Sequence, residues 1–173
     1  MIQETIDLRP VFGKDLDFVL RLKNDRRIQG KGVGSSLPFT EGDFQTMLQM
    51  TPTGPSFHFI GEKAGIPVGL ICLEVNFKDR KGSLMIDPDF KSDEDYKLLY
   101  RKILVACLKY LEGGLNLTKV SVKAGADHPE LMAILDNAGF FPEVLKREDI
   151  FRDGKFIDVT VYSRISGQRK EQS

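Results

Sequence analysis

The order of hydrophobic patterns predicts an α+β domain, an α/β/α sandwich built on a mixed, mostly antiparallel central sheet with the order βααβββαβαββ. Three observations carry that expectation. Three period-two segments follow one another through the middle of the chain, separated only by short turns. Segments of helical period stand before and after them, ready to cover the sheet. A last pair of strand patterns flanks Arg152-Asp153-Gly154, whose Asp-Gly step favours a tight reversal.

Taken in order, Ile6-Asp7-Leu8-Arg9 alternates apolar and polar residues until Pro10 stops the strand. Leu16, Val19 and Leu20, flanked by Phe18 and Leu22, then form a helical face within about residues 14–27. Gly30-Lys31-Gly32-Val33-Gly34-Ser35-Ser36 reads as a flexible loop; it lacks the Walker order and follows a helix, so a mobile substrate loop is a better reading than a nucleotide loop. Thr40 with Asp43 is a capping-box signature, Phe44, Met47 and Leu48 give the next helix its face, and Pro52, Gly54 and Pro55 end it. Residues 56–62, 66–77 and 83–86 form the three consecutive strands.

The main helix follows, with Tyr96, Leu99, Tyr100, Ile103, Leu104, Cys107, Leu108 and Leu111 at three- and four-residue steps up to Gly113-Gly114. Residues 117–123 alternate as a strand with one wet face, and Asp127 is placed to cap a helix carried by Leu131, Ile134, Leu135 and Ala138. Residues 140–151 and 155–165 make the closing hairpin. The expected domain is residues 1–166, and residues 167–173, without an apolar anchor, read as a disordered tail.

Composition bounds the partners. With 25 basic and 25 acidic residues there is no general electrostatic case for nucleic acid, and no run approaches the roughly 18 apolar residues of a membrane span. Cys72 and Cys107 sit inside apolar patterns with no C-x-x-C pair, so they read as reduced thiols, and the absence of an apolar leader segment gives a cytoplasmic expectation.

The residues 87–95 conflict with the place they occupy. A strand-to-helix junction can cradle phosphate on free backbone N–H groups. Here Asp87, Asp89, Asp93, Glu94 and Asp95 stand against the single Lys91, without a glycine. A carboxylate about 5 Å from a phosphate charge costs roughly 3 kcal/mol at an effective dielectric of 20, against roughly 0.3–1 kcal/mol from an exposed helix terminus. Ser92 with Asp95 also forms a capping box that would occupy the N–H groups a phosphate uses.

Residues 127–140, from Asp127-His128-Pro129-Glu130 to Ala138-Gly139-Phe140, followed by Phe151-Arg152-Asp153-Gly154-Lys155-Phe156-Ile157-Asp158-Val159-Thr160-Val161-Tyr162, resemble the C-terminal half of the GNAT N-acetyltransferases. The likeness is closest to the branch that acetylates ribosomal-protein N-termini and aminoglycoside or amino-acid amines, and the element order over residues 5–165 agrees with the fold. The resemblance implies a cleft for acetyl-CoA, or another acyl-CoA, where two central strands splay. Its cofactor-binding positions fall on Met85, Ile86, Asp87, Lys91, Ser92, Asp93, Glu94, Asp95, Tyr96 and His128. Pro88 matches the family's proline, but Ser92 and Glu94 stand at its glycine positions. His128 and Leu131 replace an Asn-x-x-Ser, and Leu135 stands where other branches place a proton-donating tyrosine.

Acetyl transfer to an amine asks for a neutral amine, an aligned thioester, donors for the developing oxyanion and a base. The candidate catalytic groups are Asp149 in the closing hairpin, Glu74 among the apolar residues of the second central strand, and His128, whose ordinary pKa lies near neutrality. No metal site is expected. The implied function is acyl-CoA-dependent N-acylation of a primary amine, on a small molecule or a peptide, by a monomer or homodimer. The alternative is a catalytically inactive GNAT-like domain that binds a metabolite or protein.

Overall fold

The computed structural model of the chain describes residues 5–34, 37–50 and 56–166. In chain order its elements are β1 (Asp7–Pro10), a 3-10 turn (Gly13–Asp15), α1 (Leu16–Asn24), α2 (Arg26–Lys31), α3 (Glu41–Met50), β2 (Ser56–Lys63), β3 (Ile66–Asn76), β4 (Lys81–Pro88), α4 (Asp93–Gly113), β5 (Lys119–Gly125), α5 (Pro129–Asn137), β6 (Phe141–Arg152) and β7 (Lys155–Ile165). The strands form one seven-stranded sheet, β1-β2-β3-β4-β5-β7-β6. Every neighbouring pair is antiparallel except β4 and β5. This is the mixed, mostly antiparallel sheet expected from the sequence.

Alternation along the central strands decides what each face receives. Gly69, Ile71 and Leu73 of β3 turn toward α4, and a Cβ on Gly69 would meet Ile103 Cδ1 at 2.8 Å, so glycine is what lets the helix lie this close. The stripe Leu99, Tyr100, Ile103, Leu104, Cys107, Leu108 and Leu111 buries α4 against that face. Burying each such side chain contributes roughly 1.5–3 kcal/mol. Cys72 and Glu74 alternate onto the other face, with their register partners Met85 and Ser83 of β4. Lys23 of α1 reaches Asp87 on that same face, which places α1 opposite α4.

The helix starts follow their capping chemistry in part. Thr40 N–H donates to Asp43 Oδ2 at 2.8 Å and Asp43 N–H to Thr40 Oγ1 at 3.3 Å, the full reciprocal box expected for α3. At α4 the box is half made: Asp95 N–H donates to Ser92 Oγ, but the Asp95 carboxylate accepts from Lys91 N–H instead of Ser92. At α5 the expected cap by Asp127 is corrected. His128 is the N-cap residue and makes no side-chain cap bond, because the Asp127 carboxylate is drawn to Arg152 at 3.0 Å.

One helix more than expected appears before β2. Asp25 breaks the first helix with an extended backbone, and its side chain accepts from Arg27 N–H, starting α2 anew. Gly30 and Lys31, expected in a flexible loop, close that helix; Ser35 and Ser36 lie outside the described residues. So do Pro52, Gly54 and Pro55, and the expected tail 167–173. In the closing hairpin Asp153 and Gly154 both take positive φ, 50° and 77°, the pattern of a type I′ turn.

Candidate functional site

The parallel pair β4–β5 is joined only at Lys81↔Lys119, Gly82↔Val120 and Ser83↔Ser121. Beyond Ser83 and Ser121 the two strands diverge, and the backbone N–H and C=O groups on their facing edges have no strand partner there. A cavity of about 140 Å³ fills this wedge. Leu84, Met85 and Ile86 wall it on one side, Val122 and Lys123 on the other, and Tyr96 of α4 closes its inner end.

Glu74 stands beside the apex. It is the register partner of Ser83, the last β4 residue paired to β5, and directly opposed residues in an antiparallel pair share a face. Glu74 lines both the wedge and an adjoining open groove of about 800 Å³ with Ser56, Asn76, Lys81, Ser83 and Ser121. Its carboxylate makes no ion pair among the described residues, in contrast to Asp87, whose Oδ2 lies 3.0 Å from Lys23 Nζ. Beside them His58 Nε2 lies 3.4 Å from Cys72 Sγ. Burial, and then the Lys23 charge, hold His58 below its ordinary pKa, while burial, and then Glu74, push the Cys72 thiol up to about 11.

The acidic segment meets a basic one. Asp87 pairs with Lys23, Asp89 with Arg21 at 2.7 Å, and Asp93 with Lys31 at 3.1 Å, so α1 and α2 supply the cations that the segment itself lacks. Lys31 Nζ also donates to Glu130 of α5 and lies 5.2 Å from the centre of the Tyr96 ring. Burial alone would lower the pKa of this ammonium; the hydrogen bonds to Glu130 and Asp93 more than reverse that, and it is held above its ordinary range.

A second set of bonds fastens the end of α2 over the wedge. Arg152 at the tip of β6 donates through Nη1 to Gly30 O and through Nη2 to Gly32 O, and His128 Nε2 also meets Gly30 O. Arg152 Nη1 and His128 Nε2 also lie 3.0 Å from each other, and His128 Nδ1 faces Glu130, 3.6 Å away. With Lys31 and this fastening in place, the wedge is smaller than the roughly 300–1,000 Å³ of ordinary ligand pockets.

The sequence matches no protein-family model and no curated protein. The fold matches solved structures along nearly its whole length. A spermidine N-acetyltransferase from Vibrio cholerae, in complex with CoA and spermine, superposes with a TM-score of 0.82 at 22% identity, over 93% of this chain and 95% of that one. The chain has the GNAT acetyltransferase fold. A dodecameric spermidine N-acetyltransferase structure from the same organism gives 0.76 at 23% identity over 93% and 94% of the two chains. A spermidine/spermine N-acetyltransferase in complex with manganese ions gives 0.74 at 21% over 93% and 92%.

Within this GNAT fold the residues singled out from sequence separate into groups. Glu74, Met85, Ile86, Asp87 and Tyr96 line the wedge together. Asp93 reaches the lining only through Lys31, and His128, buried against Gly30 O, is not among the residues that line the wedge. Lys91, Ser92 and Glu94 are exposed on the outer side of the α4 start, and Asp95 is bonded to the Lys91 N–H. Asp149 lies beside the bulge in β6, 3.9 Å from Lys146, and lines a different open cavity with Arg26 and Arg152. Sequence reasoning missed Lys31, Arg152 and Lys23. Only the run of cations in residues 21–31, matched against the acids of 87–95, held a signal for Lys23 and Lys31.

Proposed function

We propose that this chain is an acyl-CoA-dependent N-acyltransferase whose single domain, residues 1–166, transfers an acetyl group to a primary amine of a small, polyamine-like acceptor in the cytoplasm. The observation that carries the reading is the wedge between β4 and β5 with Glu74 at its apex. An extended, amide-bearing chain such as the pantetheine arm of CoA fits the unpaired strand edges in the way a peptide adds to a sheet. Bound there, the donor supplies an activated acyl thioester.

The chain's own residues do the rest. An alkyl ammonium has an ordinary pKa of about 10.4 and cannot attack until it loses a proton. Glu74, without an ion pair among the described residues and in contact with both wedge and groove, draws the ammonium in and receives that proton directly or through water. Met85, Cys72 and Tyr96 give the wedge a partly apolar lining that limits water near the thioester. Direct attack needs no nucleophile from the protein, which suits a site where leucine stands at position 131. The choice of a small acceptor over a protein N-terminus follows the neighbour of the same fold that is in complex with CoA and spermine.

Copies of the chain are proposed to pair along the edge strand β6, whose Val144, Leu145 and Phe151 are exposed. The test of the reading is thermal melting with acetyl-CoA. At about 100 times the dissociation constant, binding adds about 2.7 kcal/mol, which for a domain of this size raises the midpoint by roughly 5–11 °C. No shift at millimolar acetyl-CoA would overturn it.

A further inference from the structure

The two carboxylates that hold Lys31 are not equivalent. Glu130 is 18% exposed and Asp93 is 68% exposed, while the lysine between them is 19% exposed. Glu130 and the Tyr96 ring therefore form a fixed seat for the ammonium, and Asp93 is a loose partner, since a solvated ion pair contributes little. Lys31 also lines the wedge itself, so its charge faces whatever enters between β4 and β5. The neighbouring cation Lys91 is exposed and turned away from the wedge, whose described lining does not include it.

This arrangement answers the conflict in residues 87–95. The N–H groups of Asp93 and Glu94 find no acceptor among the described residues, but without glycine and with acid beside them they are a poor phosphate site alone. Lys31 sets a cation beside those N–H groups and offsets part of the acid around them. Resting on the reading of the chain as an acyl-CoA-dependent transferase, we propose that Lys31 grips the phosphate of the donor, and that Asp93 is its built-in competitor, holding the ammonium until a phosphate displaces it. Glu130 keeps the ammonium in place during the exchange, and Asp93 turns into solvent. The donor is then selected by its phosphate as well as by its acyl arm, and the glycine loop of the fold is replaced by a cation reaching over from α2.

The experiment is calorimetric titration of the full chain with CoA and with pantetheine, which keeps the arm and lacks the phosphates. Lys31→Met should weaken CoA at least about tenfold and leave pantetheine unchanged; Lys31→Arg should retain most of the CoA affinity, which guards against a merely misfolded variant. Asp93→Asn should tighten CoA several-fold with Lys31 present and clearly less in the Lys31→Met background. Equal weakening of CoA and pantetheine by Lys31→Met, no weakening of either, or the same Asp93→Asn gain in both backgrounds overturns the inference while leaving the acyltransferase reading standing. Failure of the unaltered chain to bind CoA overturns both.

Discussion

Replacing Arg152 with alanine should release the end of α2 without unfolding the domain. The guanidinium donates to the carbonyls of Gly30 and Gly32 and pairs with Asp127, with only 13% of its side chain exposed. A hydrogen bond from a charged group contributes roughly 1.5–3 kcal/mol. Two of them set an upper range, reduced because His128 keeps its bond to Gly30 O and because a freed side chain no longer has to be ordered, at up to about 2 kcal/mol. A net loss of about 2–4 kcal/mol in the closing of α2 corresponds to roughly 30- to 700-fold faster local opening. Hydrogen exchange at the Gly32 amide, which closes α2 on Ile28 O at 3.1 Å, reads this directly. Amides inside α4, whose buried stripe Arg152 does not touch, should change far less. An unchanged Gly32 rate, or one that rises only in step with α4, would refute the claim that Arg152 fastens this segment.

Three other outcomes follow from the same contacts. Glu74→Gln should lower kcat/KM for an amine acceptor by on the order of 100-fold and flatten the acid limb of its pH profile, with acetyl-CoA affinity unchanged; equal losses in both would make Glu74 structural. Burial would raise the pKa of Asp15, but the bidentate bonds from Arg9 at 2.7 and 2.8 Å, with the Phe12 N–H, bring it below the ordinary carboxylate range. Its contribution is therefore complete above the unfolded pKa of about 3.9 and is lost as pH falls through the depressed folded value, so the stability gap between the wild type and Asp15→Asn in urea should be widest near neutrality and close in acid. Gly69→Ala forces a Cβ to within 2.8 Å of Ile103 Cδ1 and 3.2 Å of the Asp87 carbonyl oxygen, and should cost about 1–3 kcal/mol in urea unfolding.

Much of the fold was legible because each signal was local. The stripe of α4, the Thr40–Asp43 box and the Asp153-Gly154 turn are all properties of a few neighbouring residues, and each took the expected form. The break between α1 and α2 hinged on one aspartate capping a short helix that has no long apolar stripe to announce it. The site was less legible for the opposite reason. Residues 87–95 look repulsive to an anion in sequence, because Arg21, Lys23 and Lys31 lie more than sixty positions away and meet them only after α1 and α2 have packed over the sheet. Asp127 illustrates the same limit: it carries the right chemistry for a cap, and a long-range arginine takes it for another purpose. Glu74 was visible as a carboxylate in an apolar strand, but its place at the apex depended on the register with Ser83 and on where β4 leaves β5.

The central claim is that the wedge presents an acyl donor to an amine beside Glu74. Its most direct test is incubation of the protein with acetyl-CoA labelled in the acetyl carbonyl and a primary polyamine, with the products weighed by mass spectrometry. The account predicts label in an N-acetylated amine, one free CoA thiol for each acetyl transferred, and loss of both in Glu74→Gln. Label found only as acetate, or an amine that remains unmodified while the protein is folded and saturated with donor, would contradict it.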